Sequence, residues 1–102
     1  MTSAYSVVIP AFNAEATLGE TIRSALEQTV PPAEILVVDD GSTDGTDAVA
    51  AGFADRVRVI RQDNAGPGAA TSRGLAAVET PFAATLDADD LWLPGKAVRS
   101  RP

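Results

Sequence analysis

The sequence predicts an α/β protein, with an open, mostly parallel sheet of about four strands and helices on its flanks. Two observations carry that expectation. Four short runs rich in β-branched and aromatic residues recur along the 102-residue chain, and segments with helical periodicity fill the intervals between them. Strand and helix alternating at this spacing make βαβ units, whose right-handed crossovers generate a parallel sheet.

The strand-like runs are Tyr5–Ile9, Glu34–Val38, Arg56–Ile60 and Phe82–Leu86. Within the second, Ile35-Leu36-Val37-Val38 has no polar interruption, the pattern of a strand covered on both faces. In Ala14–Thr29, Leu18, Ile22, Ala25 and Leu26 form one stripe of a 3.6-residue helix, with Asn13 placed to cap it and Pro31-Pro32 to end it. A second helix is expected over Asp44–Asp55, capped by Ser42 or Thr43, with Val49 and Phe53 on one face. The third, over Gly68–Glu79, carries Gly74 inside it at a cost of about 1 kcal/mol relative to Ala. Leu75 and Val78 are its expected buried contacts. Trp92–Val98 reads as the entry to a fourth helix, with Pro94 in the first turn. The length implies one domain, residues 1–102, that stops before this last helix completes two turns.

Composition removes several function classes. With no cysteine and no histidine, disulfides, thiolate zinc sites, Cys nucleophiles and imidazole catalysis are excluded. The formal net charge of −6 argues against nucleic acid and anionic lipid as partners. No apolar segment reaches membrane-spanning length and the N-terminus lacks the order of a signal peptide, so a cytoplasmic protein is expected. Acid–base or metal chemistry then falls to the fourteen carboxylates.

Half of these acids sit in two clusters. Asp39 and Asp40 follow an apolar strand directly and lead into the turn Gly41–Thr46, with Asp44 and Asp47 close behind. In an open parallel sheet, ligands bind outside the carboxyl ends of strands. An Asp/Gly/Ser turn into a capped helix accounts for Ser42–Gly45. It leaves two adjacent carboxylates unexplained, since like charges repel unless a cation or donor lies near. The second cluster is Asp87-Ala88-Asp89-Asp90 at the end of the fourth strand. Asp87 and Asp89, at i and i+2 of an extended segment, project the same way and suit one hard cation; without His or Cys, Mg²⁺ or Mn²⁺ is favoured. Asn64-Ala65-Gly66-Pro67-Gly68 opens a helix and can present backbone N–H groups to phosphate, with Arg73 following; a plain turn is the competing reading. At the end of the first strand, Pro10-Ala11-Phe12-Asn13 places a small and a planar residue where they can flank a base, although Phe12 reads equally as core.

Taken in order, Ser6–Asn13, Gln28-Thr29, Ile35–Thr46, Asn64–Gly68 and Leu86–Asp90 resemble the family 2 glycosyltransferases of the GT-A fold. The likeness runs from about Tyr5 to Lys96. It implies a Rossmann-like half of that fold, in an inverting transferase that moves a sugar from a nucleotide diphosphate, UDP-sugar favoured, to an acceptor hydroxyl. It further implies that Ala11, Phe12 and Glu15 line the nucleoside pocket and that Asp39 and Asp40 meet the base. Asp89 would contact the cation, with Asp87 at the ribose or a metal-bound water. Two departures stand out. Ala70-Thr71-Ser72 replaces the family's frequent Ala-Arg-Asn, leaving Arg73 two positions late, and no residue here matches the catalytic base, Asp90 included. A catalytically incomplete fragment that binds nucleotide or self-associates through an exposed sheet edge is the alternative. A receiver-like phosphoacceptor is disfavoured because the lone lysine, Lys96, is misplaced for it.

Overall fold

A computed structural model describes residues 4–53 and 55–92. The elements run β1 (Tyr5–Ala11), α1 (Leu18–Leu26), β2 (Glu34–Asp40), α2 (Thr46–Ala51), β3 (Val57–Gln62), α3 (Pro67–Ala77) and β4 (Phe82–Thr85). All four strands are parallel, in the order β3-β2-β1-β4. The anticipated fourth helix and Pro94 lie outside the described residues. Among those described, no helix is long and apolar enough to cross a membrane.

The strand order explains the layers. From β1 to β3 the chain steps one way across the sheet, and from β3 to β4 it steps back past β2 and β1. With right-handed crossovers, that reversal moves the connecting helix to the other face. Packing agrees. One face buries Val7, Ile9, Ile35 and Val37 against Leu18, Ile22 and Ala25 of α1 and Ala50 of α2. The opposite face buries Val8 and Val38 against Ala70 of α3.

The helices are shorter than their sequence patterns. Residues 14–17 form a turn in which the Ala14 carbonyl accepts from Thr17 N and Leu18 N, so α1 begins four residues late. Asn13 does not cap it; its φ is +49° and its Oδ1 accepts from Thr43 N at 2.9 Å. The left-handed conformation, which Asn tolerates, turns the chain out of β1 instead. α1 also ends at Leu26, well before Pro31-Pro32. α2 stops at Gly52, and its N-cap is Gly45 rather than Ser42 or Thr43, whose polar atoms are used elsewhere.

The largest correction concerns α3. Leu75 is 44 % exposed, whereas Gly74 is buried. The inward stripe is Ala70, Gly74 and the partly buried Val78, at i, i+4 and i+8. A Cβ at position 74 would lie 2.4 Å from Val8 Cγ1 and 3.0 Å from Val38 Cγ2. The glycine therefore trades helix propensity for close approach to two central strands. Gly74→Ala is expected to lower stability by about 1–3 kcal/mol, since overpacking against buried strands outweighs the roughly 1 kcal/mol propensity gain. A urea unfolding midpoint equal to or above wild type would contradict this.

Candidate functional site

The site is built outward from the end of β2. Successive side chains on a strand face opposite sides. Asp39 thus turns toward the α1/α2 face and Asp40 toward the α3 face. The β2–β3 register sets Asp39 opposite Arg61 and Asp40 opposite Gln62. Both carboxylates are buried.

Asp39 Oδ2 accepts from Arg61 Nη1 at 2.9 Å, and its Oδ1 accepts from Ser42 N at 3.0 Å. Arg61 also donates to the Ser42 carbonyl at 3.1 Å and pairs with Asp47 at 3.1 Å. Asp40 Oδ1 accepts from Gln62 Nε2 and Ala65 N, each at 2.8 Å. Its Oδ2 accepts from Gly66 N at 2.9 Å and Asn64 Nδ2 at 3.3 Å. Every acceptor position of this carboxylate is filled by protein donors. The Gln62 hydrogen bond, helped by those from Ala65 and Gly66 and opposed by desolvation, holds its carboxyl below the usual range. The repulsion anticipated between the two neighbours is therefore met by opposite orientation and separate partner sets, the Arg61 guanidinium on Asp39 and neutral donors on Asp40.

On the α3 face a cleft of about 350 Å³ opens beyond the carboxyl ends of β1 and β2. Pro10, Ala11 and Phe12 form one wall, Gly66, Pro67 and Ala70 the other, and Asp40 and Asn64 complete the lining. Phe12 is 52 % exposed and is not core. Gly66, at φ +101°, turns the chain into α3 with Pro67 in the first turn.

The second acidic cluster follows β4. Leu86 and Ala88 are buried while Asp87 and Asp89 are exposed, the alternation of an extended segment. Asp90, only 8 % exposed, joins them; one oxygen from each of Asp87, Asp89 and Asp90 lies within 4.8 Å of the others. Hydroxyls of α1 hold this segment. Thr17 and Thr21 Oγ1 each reach the Ala88 carbonyl at 2.9 Å, Thr21 also reaches that of Asp90 at 2.7 Å, and Ser24 Oγ accepts from Trp92 N at 3.1 Å. Three close carboxylates with no nitrogen or sulfur donor fit a hard divalent cation.

Of the residues singled out from sequence, Pro10, Ala11, Phe12, Asp40 and Gly66 meet in the cleft, and Asp87 and Asp89 in the acidic cluster. Asp39 lies on the opposite face. Glu15 is exposed and accepts from Gly45 N at 3.2 Å. Arg73 is exposed on α3 and does not line the cleft. The Gly66 amide is engaged by Asp40. Sequence reasoning passed over Arg61 and Gln62, and the α1 hydroxyls. The signal for the first pair was a basic and an amide residue closing the strand next to one that closes on two acids. For the hydroxyls it was their i, i+4, i+7 spacing at 17, 21 and 24, beside the apolar stripe.

The Glycosyl transferase family 2 model matches residues 6–99, nearly the whole chain, which belongs to that family. Among curated relatives, the succinoglycan biosynthesis protein ExoO of Rhizobium meliloti is 42% identical over 94 residues, covering 90% of this chain and 27% of that protein. ExoU of the same organism is 39% identical over 94 residues, covering 88% of this chain and 27% of its own length. Among solved structures, S. aureus TarS 1-349 in complex with UDP-GlcNAc superposes with a TM-score of 0.82 at 29% identity, covering 91% of this chain and 28% of that one. The chain thus spans under a third of the length of these relatives, and its fold is the Rossmann-like portion of GT-A.

Hydrogen bonds favour the ionised form of Asp40, so its contribution to stability is complete above the ordinary carboxyl pKa of about 3.9 and is lost as pH falls through the lower folded-state value. Asp40→Asn, which turns an amide donor toward existing donors, is expected to lower Tm at pH 6. The gap from wild type should narrow as pH drops below about 4. Thermal unfolding followed by circular dichroism checks this; a gap independent of pH would contradict it.

Proposed function

We propose that these residues bind the nucleoside diphosphate of a sugar donor, UDP-sugar favoured, for inverting transfer to an acceptor hydroxyl. The observation that carries the reading is one sheet edge holding both a cleft of nucleoside size and three convergent carboxylates. Pro10, Ala11 and Phe12 supply an apolar wall for the base. Asp40, its acceptors saturated, shapes the facing wall through residues 62–66 rather than offering a free oxygen. Asp39 does the same for the loop after β2. Asp89 is assigned to the cation and Asp87 to the cation or ribose, with Asp90 close enough to join them. Gly66, at the N-cap of α3 beside the cleft, and Arg73, exposed further along that helix, are assigned to the phosphate side, and Glu15 acts through Gly45. Bound Mg²⁺ or Mn²⁺ would neutralise the diphosphate and offset charge growing on the leaving group. TarS, solved with UDP-GlcNAc, supports the choice of donor class. The acceptor site and general base are assigned to no residue of this chain.

Isothermal titration with UDP and Mn²⁺ tests the reading. Binding is expected only with the cation present. Asp89→Asn is expected to weaken it by more than about tenfold, since even residues outside the direct ligand shell typically cost that much. Absence of heat from a folded sample with UDP, GDP, ADP or CDP would overturn it.

One observation favours a second role. β4 stands at the sheet edge, carries no charge or proline, and leaves Phe82 57 % exposed. Such an edge is a template for pairing. Self-association through β4 predicts a sedimentation coefficient that rises with concentration and is suppressed by Ala83→Lys; a monomer at high concentration excludes it.

A further inference from the structure

The turn Ser42–Thr46 serves the start of α2 only through Asp44, whose Oδ1 accepts from Thr46 N at 2.9 Å, and Ser42, Asp44 and Thr46 also point at the loop that follows β1. Three consecutive amides of that loop donate to three side chains of the turn. Asn13 N reaches Ser42 Oγ at 2.8 Å, Ala14 N reaches Thr46 Oγ1 at 2.8 Å, and Glu15 N reaches Asp44 Oδ2 at 3.3 Å. Three bonds return, from Thr43 N and Thr43 Oγ1 to Asn13 Oδ1 at 2.9 and 3.4 Å and from Gly45 N to Glu15 Oε1 at 3.2 Å. The Thr46 hydroxyl sits at the centre: fully buried, it accepts from Ala14 N and donates to Asp44 Oδ1.

Phe12 explains why this matters. It is the first residue beyond the β1–β2 ladder, whose last register pair is Ala11 with Asp39. At 52 % exposure, packing does not hold its ring. Its position over the cleft therefore depends on the backbone that leaves it, and that backbone turns at Asn13 through a left-handed conformation. The anchors of the departing chain are the three amides just described.

We propose that Ser42, Asp44 and Thr46 are positioning residues for the nucleoside wall, setting where Phe12 stands through the amides of residues 13–15. The inference rests on the cleft being the nucleoside site, as argued above. It assigns a binding role to side chains that touch no ligand. A turn that only stabilised the fold would leave donor affinity unchanged once the protein is folded.

Thr46→Val keeps the shape and removes the hydroxyl, and Thr46→Ser keeps the hydroxyl. Two measurements on the 102-residue chain separate the possibilities: amide hydrogen exchange at Asn13–Glu15 without nucleotide, and UDP titration with Mn²⁺ present. In Thr46→Val, exchange at Ala14 is expected to accelerate and the Kd for UDP to rise about two- to tenfold, the worth of one or so hydrogen bonds. Thr46→Ser is expected to restore both, and Ser42→Ala to repeat the loss at Asn13. Faster exchange in Thr46→Val with unchanged UDP affinity would overturn the proposal. So would rapid exchange at Ala14 in the wild type. Slow exchange in a wild type that binds no nucleoside diphosphate would instead overturn the nucleotide reading, and the positioning role with it.

Discussion

The two-residue period of a β-strand governs the architecture at the end of β2. It sends Asp39 to one face and Asp40 to the other, so adjacent carboxylates organise different loops without competing. Through Arg61 and the Ser42 amide, Asp39 fixes the start of the turn after β2. Through four donors, Asp40 fixes the stretch that opens α3. A one-residue slip of β2 against β3 would set either Asp39 opposite Gln62 and Asp40 opposite Asp63, or Asp40 opposite Arg61 and Asp39 opposite Ile60, so neither acid would keep its partner. The in-register pairs Asp39–Arg61 and Asp40–Gln62 thus tie strand alignment to loop geometry.

The two faces of the sheet are built to different standards. The α1/α2 side has a broad apolar core drawn from all four strands. The α3 side has a small one, where contact depends on a glycine letting the helix backbone settle onto Val8 and Val38. The cleft opens on this thinner side, beyond the point where α3 can cover the sheet. The proposed site sits where packing is least complete, as expected of a site that must exchange its occupant.

Much of this was legible in the sequence, for stated reasons. Strand identity followed from uninterrupted branched residues such as Ile35–Val38, and the parallel α/β class from their alternation with helical segments. Both acidic clusters stand out because carboxylates directly after strand-like runs have few structural explanations, although of the two strands only β2 is buried and β4 is largely exposed. The helix faces were less legible. Leu75 looked like core and Gly74 like a defect, because propensity and hydrophobicity are properties of single residues, while the distance between a helix and a sheet is not. The split roles of Asp39 and Asp40 were hidden for the same reason: adjacency in sequence suggested repulsion, and only strand geometry separates them. Among the hydroxyls, Ser42 reads from sequence as a cap and those at 17, 21, 24 and 46 give no signal of their partners, since a hydroxyl's partner is set by tertiary approach.

The cleft separates the residues that give it shape from those that hold it in place. Its frame consists of amides, carboxylates and hydroxyls locked to one another, whereas Pro10, Ala11, Phe12, Pro67 and Ala70 contribute only shape. Replacing one of these five changes what fits without removing a single side-chain hydrogen bond of the frame. The proposed site is modular at Phe12, which is exposed and can be exchanged at little risk to folding, whereas Ala11 and Ala70 are buried in the two cores and tie shape to stability. Recognition can diversify on such a platform one side chain at a time.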